Sequence, residues 1–590
     1  MNAGPVEIRS FLAWVWLMED RQSGPRSDTT GAAFTTRNLG RLHVAYVPRV
    51  PVNDDCDSER GVPDLVLGDG GELTSGDFLR NVAGGVPIRY DAAAQSLHVC
   101  TSIVGMPAVY LYRGRGVAAL VSDIHLLLTI PGIELQLDPA SLVELGHVGH
   151  PVEHRTLFRD LVLVESGARL TLDSAGHASV ERSWDLPQSE PLDWPQFLEV
   201  QMSAFTSAIA ATDLSDSFLS LTAGLDTRTV FSTLAVQGRL LPSVTMSGVR
   251  LSLDAMIARR LCRAYGVEHF LVTFADDFAA RMPTLLESAS LLSGGLSAVG
   301  QAPEVYLYDQ LGTRFRSRLS GNLGNQVGRG GTEGVSLRGA RVGILGPQFK
   351  PAGEDGGHGQ EHWLLSHLND SQRSRLQFIL KNETVFTSVG NYSIGSHYAA
   401  QQSPYANRDL IETLAFRPVD DGSSPSGSKF RMRLRDLKHR FVGEPEERSF
   451  QRRLVRRSGG FAAECPVNWG WRPSGGISPM GSALGAATLF GMVARAKGLD
   501  AGALRRPLAF ARLADLHDFR DSRRWLRDAL RDFTNDTLSS QSIRESDLFD
   551  WNVLQPVLED HFTGRRDHYS TVVFALDVAL AQRLFCERPG

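Results

Sequence analysis

An α/β protein of more than one domain is what this sequence predicts, and three observations carry the prediction. The first third is built of short alternating or apolar runs punctuated by Gly and Asp, the signature of a sheet. Beyond residue 194 the rhythm changes to strand, turn, helix, which argues for a parallel sheet with helices on both faces. The chain has 590 residues, and at roughly 100 to 200 residues per domain that is length for about two to four domains.

In order, the strand-like runs of the first third fall at 42–47, 97–100, 109–112, 117–121 and 161–165. Residues 184–194, with Pro187 and Pro191, break the pattern and read as a linker. A helix is then predicted over 197–211, a strand over 218–221, a helix over 229–237 and a strand over 243–246. A helix over 255–265, entered at Asp254, and a strand over 270–274 follow. Ligands of such folds sit where strand carboxyl ends meet helix N-termini. Loop-like Gly/Ser/Pro/Asp stretches occupy 351–362, 419–428 and 472–485, and the remainder is helical in character. The last helix, 571–585, sets Val572, Leu576, Leu580 and Leu584 along one stripe, which predicts core packing.

Charge and cysteine usage exclude several classes. With 61 basic and 66 acidic side chains there is no global field to gather nucleic acid or an anionic membrane surface. Five scattered cysteines without CxxC spacing argue against a disulfide framework and a structural zinc site, and for a reducing, cytoplasmic location. The apolar stretch 11–18 is followed at once by Glu19, Asp20 and Arg21 and falls short of the ~20 residues that span a bilayer. His147, His150 and His154 imitate a metal cluster, yet Gly149 and Pro151 forbid the continuous helix that would align them. Ser293-Gly-Gly-Leu-Ser297 imitates a phosphate turn but lacks an Asp after Leu296, so an ordinary loop is expected.

The most informative segment runs from Phe218 through Leu221-Thr-Ala-Gly-Leu-Asp-Thr227. An apolar strand passes into small and hydroxyl residues and then a helix, so backbone N–H groups and the positive end of a helix dipole converge where only Ala223 and Gly224 crowd the space. It is neither a Walker A loop nor GxGxxG. Thr222 and Thr227 offer hydroxyls to a pyrophosphate, and Asp226 offers a carboxylate to the accompanying Mg²⁺. By spacing alone such a turn is weak evidence, and a plain strand-to-helix connection is the more common case.

The order of residues resembles the Ser-Gly-Gly-Leu-Asp-Ser pyrophosphate loop of the asparagine synthetase family. Three further stretches, in the family's order, extend the resemblance over most of 40–450. Ser243-Val-Thr-Met-Ser-Gly248 with Asp254, Ala258 and Tyr265-Gly-Val-Glu-His269 is similar to the second strand and helix of the synthetase domain. Leu319-Ser-Gly-Asn-Leu-Gly-Asn-Gln326 sits where the family has an acidic loop. Tyr110, Ser122-Asp123, Thr156-Leu-Phe158, Glu165-Ser-Gly-Ala-Arg-Leu170 and Trp184 look like its glutamine-amidotransferase domain. The resemblance implies an N-terminal Ntn-hydrolase-like α+β sandwich (1–190), an ATP pyrophosphatase-type parallel-sheet domain (195–450) and a C-terminal helical extension (451–590). It implies ATP and Mg²⁺ as cofactors, and amide formation through an acyl-adenylate with release of AMP and pyrophosphate. Leu221, Thr222, Ala223, Gly224, Asp226, Thr227, Met246, Ser320 and Gly321 would hold the nucleotide, Asp226 the metal, and Arg431 or Lys429 the charge developing in the transition state.

Two departures shape the expectation. The family's ammonia-generating members need an N-terminal cysteine, and position 2 is Asn2, so glutaminase activity is not expected. The first domain is then structural, as in the family's β-lactam synthetases and lasso-peptide cyclases, which use an amine of the substrate. Asn322, Asn325 and Gln326 replace the acidic residues of the later loop, keeping shape while losing charge. The substrate choice stays open between a peptide to be macrocyclised, with a leader-peptide-binding partner protein, and a small molecule closed to a lactam or amide. The alternative is a non-catalytic binding protein that keeps the fold. The basic run from Lys429 through Arg457 is otherwise a solvated face, without the interleaved aromatics that nucleic acid would require.

Overall fold

The computed structural model describes residues 6–16, 35–39, 42–48, 65–68, 85–91, 93–114, 116–248, 251–275, 277–329, 339–349, 372–418, 443, 445–477, 479, 483 and 522–587. The chain is a mixed α/β protein with two sheets. The first is eleven-stranded: β1 (Val6–Trp16), β2 (Thr35–Leu39), β3 (Leu42–Pro48), β4 (Leu65–Gly68), β5 (Gly85–Asp91), β6 (Ser96–Cys100), β7 (Tyr110–Gly114), β8 (Val117–Val121), β9 (Leu161–Leu163), β10 (Ala168–Asp173) and β11 (Ala178–Arg182). Its pairings are antiparallel except for β1 with β4. Alternation explains its two faces. Leu97, Val99, Leu111, Ala118, Leu120, Leu170 and Leu172 share one apolar cluster, whereas Tyr110, Tyr112, Ala119 and Val121 turn toward helices on the other side. One of those helices, α1 (Pro139–Val148), is capped by Asp138 and ends at Gly149 with φ +97°, a left-handed stop that glycine takes without strain.

Residues 183–193 form no element and lead, as the prolines predict, into α2 (Trp194–Ala211), whose first turn is capped by Asp193. This linker is docked rather than loose, because buried Trp184 donates Nε1–H to Glu412 at 3.0 Å.

The second sheet contains β12 (Ser217–Ser220), β13 (Ser243–Ser247), β14 (His269–Thr273), β15 (Ser317–Leu319) and β16 (Ala400–Gln402), in the order β14-β13-β12-β15-β16 and parallel at every pairing. Helices cover both faces. Leu219 and Leu221 pack in one cluster with α2, α3 (Leu225–Val236) and α4 (Leu253–Tyr265). Phe218 and Val244 pack in another with α5 (Phe278–Leu292) and α6 (Ala298–Leu311). The order runs outward in both directions from β12 and β15, so the switch point where chain direction reverses lies between their carboxyl ends.

One expectation is corrected here, and another, the core packing of the last helix, holds over a wider surface than its stripe. The helix expected to begin at Asp254 is capped two residues earlier by Ser252, whose hydroxyl accepts the Ala255 N–H, and Asp254 is thereby turned to another use. The last helix, α11 (Tyr569–Ala581), carries no single apolar stripe. Val572, Phe574, Ala575 and Val578 join the cluster beneath the first sheet, while Leu576 and Leu580 join that of α5 and α6. A helix wedged between two units has to be apolar all round. That wedging also accounts for Tyr569–Cys586, the one stretch among the described residues with the length and hydropathy of a membrane span. Ser293–Ser297 is a connection, as expected: Gly294 (φ +68°) and Gly295 (φ +86°) let the turn between α5 and α6 close onto Ile124, Leu157 and Ala581, where a Cβ would come within 2.6 to 3.0 Å of them. His150 is buried, with Nδ1 on the Pro151 carbonyl at 2.8 Å, and burial lowers the pKa values of both His147 and His150.

Candidate functional site

The turn 221–227 leaves β12 at this switch point and enters α3 with Gly224 as its N-cap. No side chain caps the helix, which leaves the space over its first turn to backbone groups. The hydroxyls expected to serve a phosphate bond first to each other: Thr222 Oγ1 and Thr227 Oγ1 lie 3.0 Å apart, and Thr227 Oγ1 also accepts the Thr222 N–H at 3.1 Å. Gly224 N–H reaches Thr222 Oγ1 at 3.3 Å. Ala223 N–H is held at 2.8 Å by Asp254 Oδ1, the carboxylate released by the Ser252 cap. The turn is therefore a rigid, self-bonded loop, and an anion would meet it already shaped.

Leu221 is fully buried, its N–H given to Val244 O and its carbonyl taken by Thr245 Oγ1, so it supports the turn from within the core. Ala223 is likewise buried. Thr222, Gly224, Asp226, Met246 and Gly321 keep partial exposure at the carboxyl ends of the strands. Thr227 and Ser320 are buried beneath them.

The loop after β15 closes directly on the first. Ser320 is fixed by its N–H on Gln402 O at 2.9 Å. A Cβ on Gly321 would stand 2.8 Å from Thr227 N, and one on Gly324 only 2.6 Å from Asp226 Cβ and Cγ. Glycine is required at both places because two backbones approach without room for a side chain. Asn322 accepts at its carbonyl from Ser403 Oγ at 2.6 Å, and Gln326 is buried. Thus the three amides, 322, 325 and 326, do belong to the segment wrapped on Asp226.

Two residues that sequence reasoning did not single out complete the arrangement. Gln451, fully buried on α9 (Phe450–Ser458), donates Nε2–H to Asp226 Oδ1 at 2.8 Å, with Tyr405 Oη at 2.9 Å and Gly324 O at 3.2 Å around the same nitrogen. Tyr405 in turn donates its hydroxyl to Asp226 O at 3.1 Å. Gln451 lies 225 residues from Asp226 in sequence, and no local pattern marks it. Two residues past Asp226, Arg228 is wholly buried, bonded to the carbonyls of Ala223, Ala462, Cys465 and Pro466.

The donor set can be weighed against Mg²⁺. Asp226 supplies one carboxylate beside the turn, a donor set that would suit only an ion carried in by a polyphosphate. Among the described residues no group of three His, Cys, Asp or Glu side chains converges to hold an ion by protein ligands alone.

Lys429 and Arg431 lie outside the described residues, as do Lys438 and Arg440. Farther along the basic run, Arg456 pairs with Glu446, Arg457 with Glu199 at 2.5 Å, and Arg452 stacks over Trp471 at 5.3 Å. These cations are engaged on the protein's own surface. A groove of about 420 Å³ opens at the opposite, C-terminal end of α3, between Met202, Thr206, Val236 and Leu454, and touches none of the residues of the turn.

No protein-family model matches the chain, and no curated protein matches it.

Proposed function

We propose that this chain is an ATP-dependent carbon–nitrogen ligase of asparagine synthetase type, AMP-forming and without a glutaminase of its own. The observation that carries the reading is the position of the turn 221–227: it leaves the central strand at the switch point of a parallel sheet, with Asp226 gripped between it and the loop after β15. In the proposed reaction a substrate carboxylate attacks the α-phosphate of ATP, the bond to the β-phosphate breaks, and pyrophosphate leaves toward the turn. An amine then captures the acyl-adenylate, releasing AMP. Thr222, Gly224 and the N-terminal end of α3 would face the departing phosphates, and Asp226, steadied by Gln451 and Tyr405, would orient the accompanying ion. Mg²⁺ supplies neutralisation of phosphate charge. Met246, at the end of β13, would border the adenosine. Lys429 or Arg431 is the proposed cation at the reacting phosphate. The first sheet, in this reading, is an amidotransferase-like domain of Ntn-hydrolase type kept as a scaffold.

A peptide or small-molecule carboxylate is the proposed substrate, with a leader-peptide-binding partner in the peptide case. A cytoplasmic setting accords with the buried, unpaired thiols of Cys100, Cys262 and Cys465.

A second reading has its own observation. Where metal-holding acids would be expected, the segment around Asp226 carries amides at 322, 325 and 326, and a fourth amide, Gln451, lies on the carboxylate itself. This favours a binding protein that keeps nucleotide affinity without turnover. One experiment separates the two: calorimetric titration of wild type and Asp226→Ala with Mg·ATP, followed by pyrophosphate release with candidate carboxylates. The ligase reading expects binding that the substitution abolishes, and release with at least one carboxylate. Binding without release favours the second reading, and absence of binding at millimolar ATP refutes both.

A further inference from the structure

Arg228 presents a problem that a purely structural role does not solve. It sits in the first turn of α3 with no exposed surface. Its Nη2 donates to Ala223 O at 3.3 Å and Pro466 O at 2.9 Å, and its Nη1 to Ala462 O at 3.4 Å and to Cys465 O. Its Nε has no acceptor. No carboxylate pairs with it among the described residues, and the ionisable groups that act on it are Cys465 and Tyr265. An arginine guanidinium keeps its charge in a folded protein. A buried charge met only by carbonyl dipoles is costly. Four carbonyls could be joined by neutral donors if joining α3 to residues 462–466 were the whole purpose.

The surroundings indicate what the charge is for. The positive end of α3 lies on the same side, so helix and guanidinium repel each other until an anion occupies the turn. The turn's own acid, Asp226, accepts from Gln451, and Asp254 of α4 accepts from the Ala223 N–H of the turn. Without Arg228 a phosphate would approach two carboxylates with, among the described residues, no cation hydrogen-bonded to the turn itself. We propose that Arg228 is the buried counter-charge of a pyrophosphoryl group, a positioning residue that acts through the Ala223 peptide and favours anions of high charge over singly charged ones. The inference rests on the pyrophosphate-turn reading above, and extends it to the discrimination among anions.

The test is a ladder of inorganic phosphate, pyrophosphate and tripolyphosphate, each with Mg²⁺, titrated calorimetrically into the full-length wild type, Arg228→Lys and Arg228→Gln, with urea unfolding of each protein alongside. At an effective dielectric near 20, a unit charge roughly 10 Å away changes affinity on the order of tenfold per ligand charge. Arg228→Gln is expected to lose pyrophosphate affinity by about that factor and tripolyphosphate affinity by more, compressing the ladder, whereas Arg228→Lys keeps its spacing. Wild-type spacing in a folded Arg228→Gln overturns the inference and leaves Arg228 as a pin between α3 and residues 462–466. Should Arg228→Gln not fold, the wild-type ladder decides: affinity climbing steeply with anion charge supports the inference, and a flat ladder overturns it. If wild type binds none of the three, the pyrophosphate-turn reading falls and this inference with it. Binding that is lost in Asp226→Ala but unchanged in Arg228→Gln removes only the inference.

Discussion

Replacing Gly324 by alanine tests the packing on which the site depends. The added methyl would lie 2.6 Å from Asp226 Cβ and Cγ and 2.8 Å from its Oδ1, against an ordinary carbon contact of about 3.5 to 4.0 Å. A gap of about 1 Å must therefore be made up by movement. Asp226 cannot yield alone, since Gln451 holds its carboxylate and Tyr405 its carbonyl. Either α7 (Gly324–Arg329) lifts off the turn or the Asp226 side chain leaves Gln451. Overpacking of this kind costs about 1 to 3 kcal/mol, offset by up to ~1 kcal/mol from the better helix propensity of alanine. Net destabilisation is then about 0 to 2 kcal/mol, while displacing a ligand-orienting carboxylate by about 1 Å is expected to weaken Mg·pyrophosphate binding by ten- to a hundredfold. Gly343→Ala is the control, because nothing lies within 4 Å of its would-be Cβ. Urea unfolding gives the first quantity and calorimetry the second. A Gly324→Ala protein matching wild type in both would refute the claim that the loop after β15 fixes Asp226.

Other consequences can be checked in parallel. Tyr405→Phe removes the donor to Asp226 O and an acceptor of Gln451; unfolding free energy should fall by about 1 to 2 kcal/mol, and an unchanged value would show that neither group depends on the hydroxyl. Asp577, buried on α11 with Oδ1 on the Val299 N–H, has its pKa pushed up by burial to about 7. A raised carboxyl pKa means that the folded state holds the proton longer, so stability from this group is present at low pH and is lost as pH rises from about 4 to about 7. Asp577→Asn should flatten that decline, with a difference from wild type that grows across the window to a few kcal/mol; parallel pH–stability curves for the two proteins would contradict the assignment.

The alternating runs of the first third and the strand–turn–helix rhythm after residue 194 were legible because burial imposes periods of 2 and 3.6 on a local stretch of chain. So was the turn at 221–227, whose small residues and single acid follow directly from an apolar strand. The switch point was not legible: which strands neighbour β12 is set by pairings such as Leu219 with Leu319, a hundred residues apart. Asp254 was read as the start of a helix, but the Ser252 hydroxyl occupies the cap and sends the carboxylate to Ala223. The core packing that the stripe of α11 implies is what the structure has, but only the meeting of two cores explains the rest of its apolar surface. By itself the sequence determined the local geometry of the candidate site, because a turn needs only its own residues to form. Its surroundings, Gln451 and Tyr405 on Asp226 and three distant carbonyls on Arg228, were decided by tertiary structure. Hydrogen bonds across 179 to 238 residues leave no periodic trace in the chain.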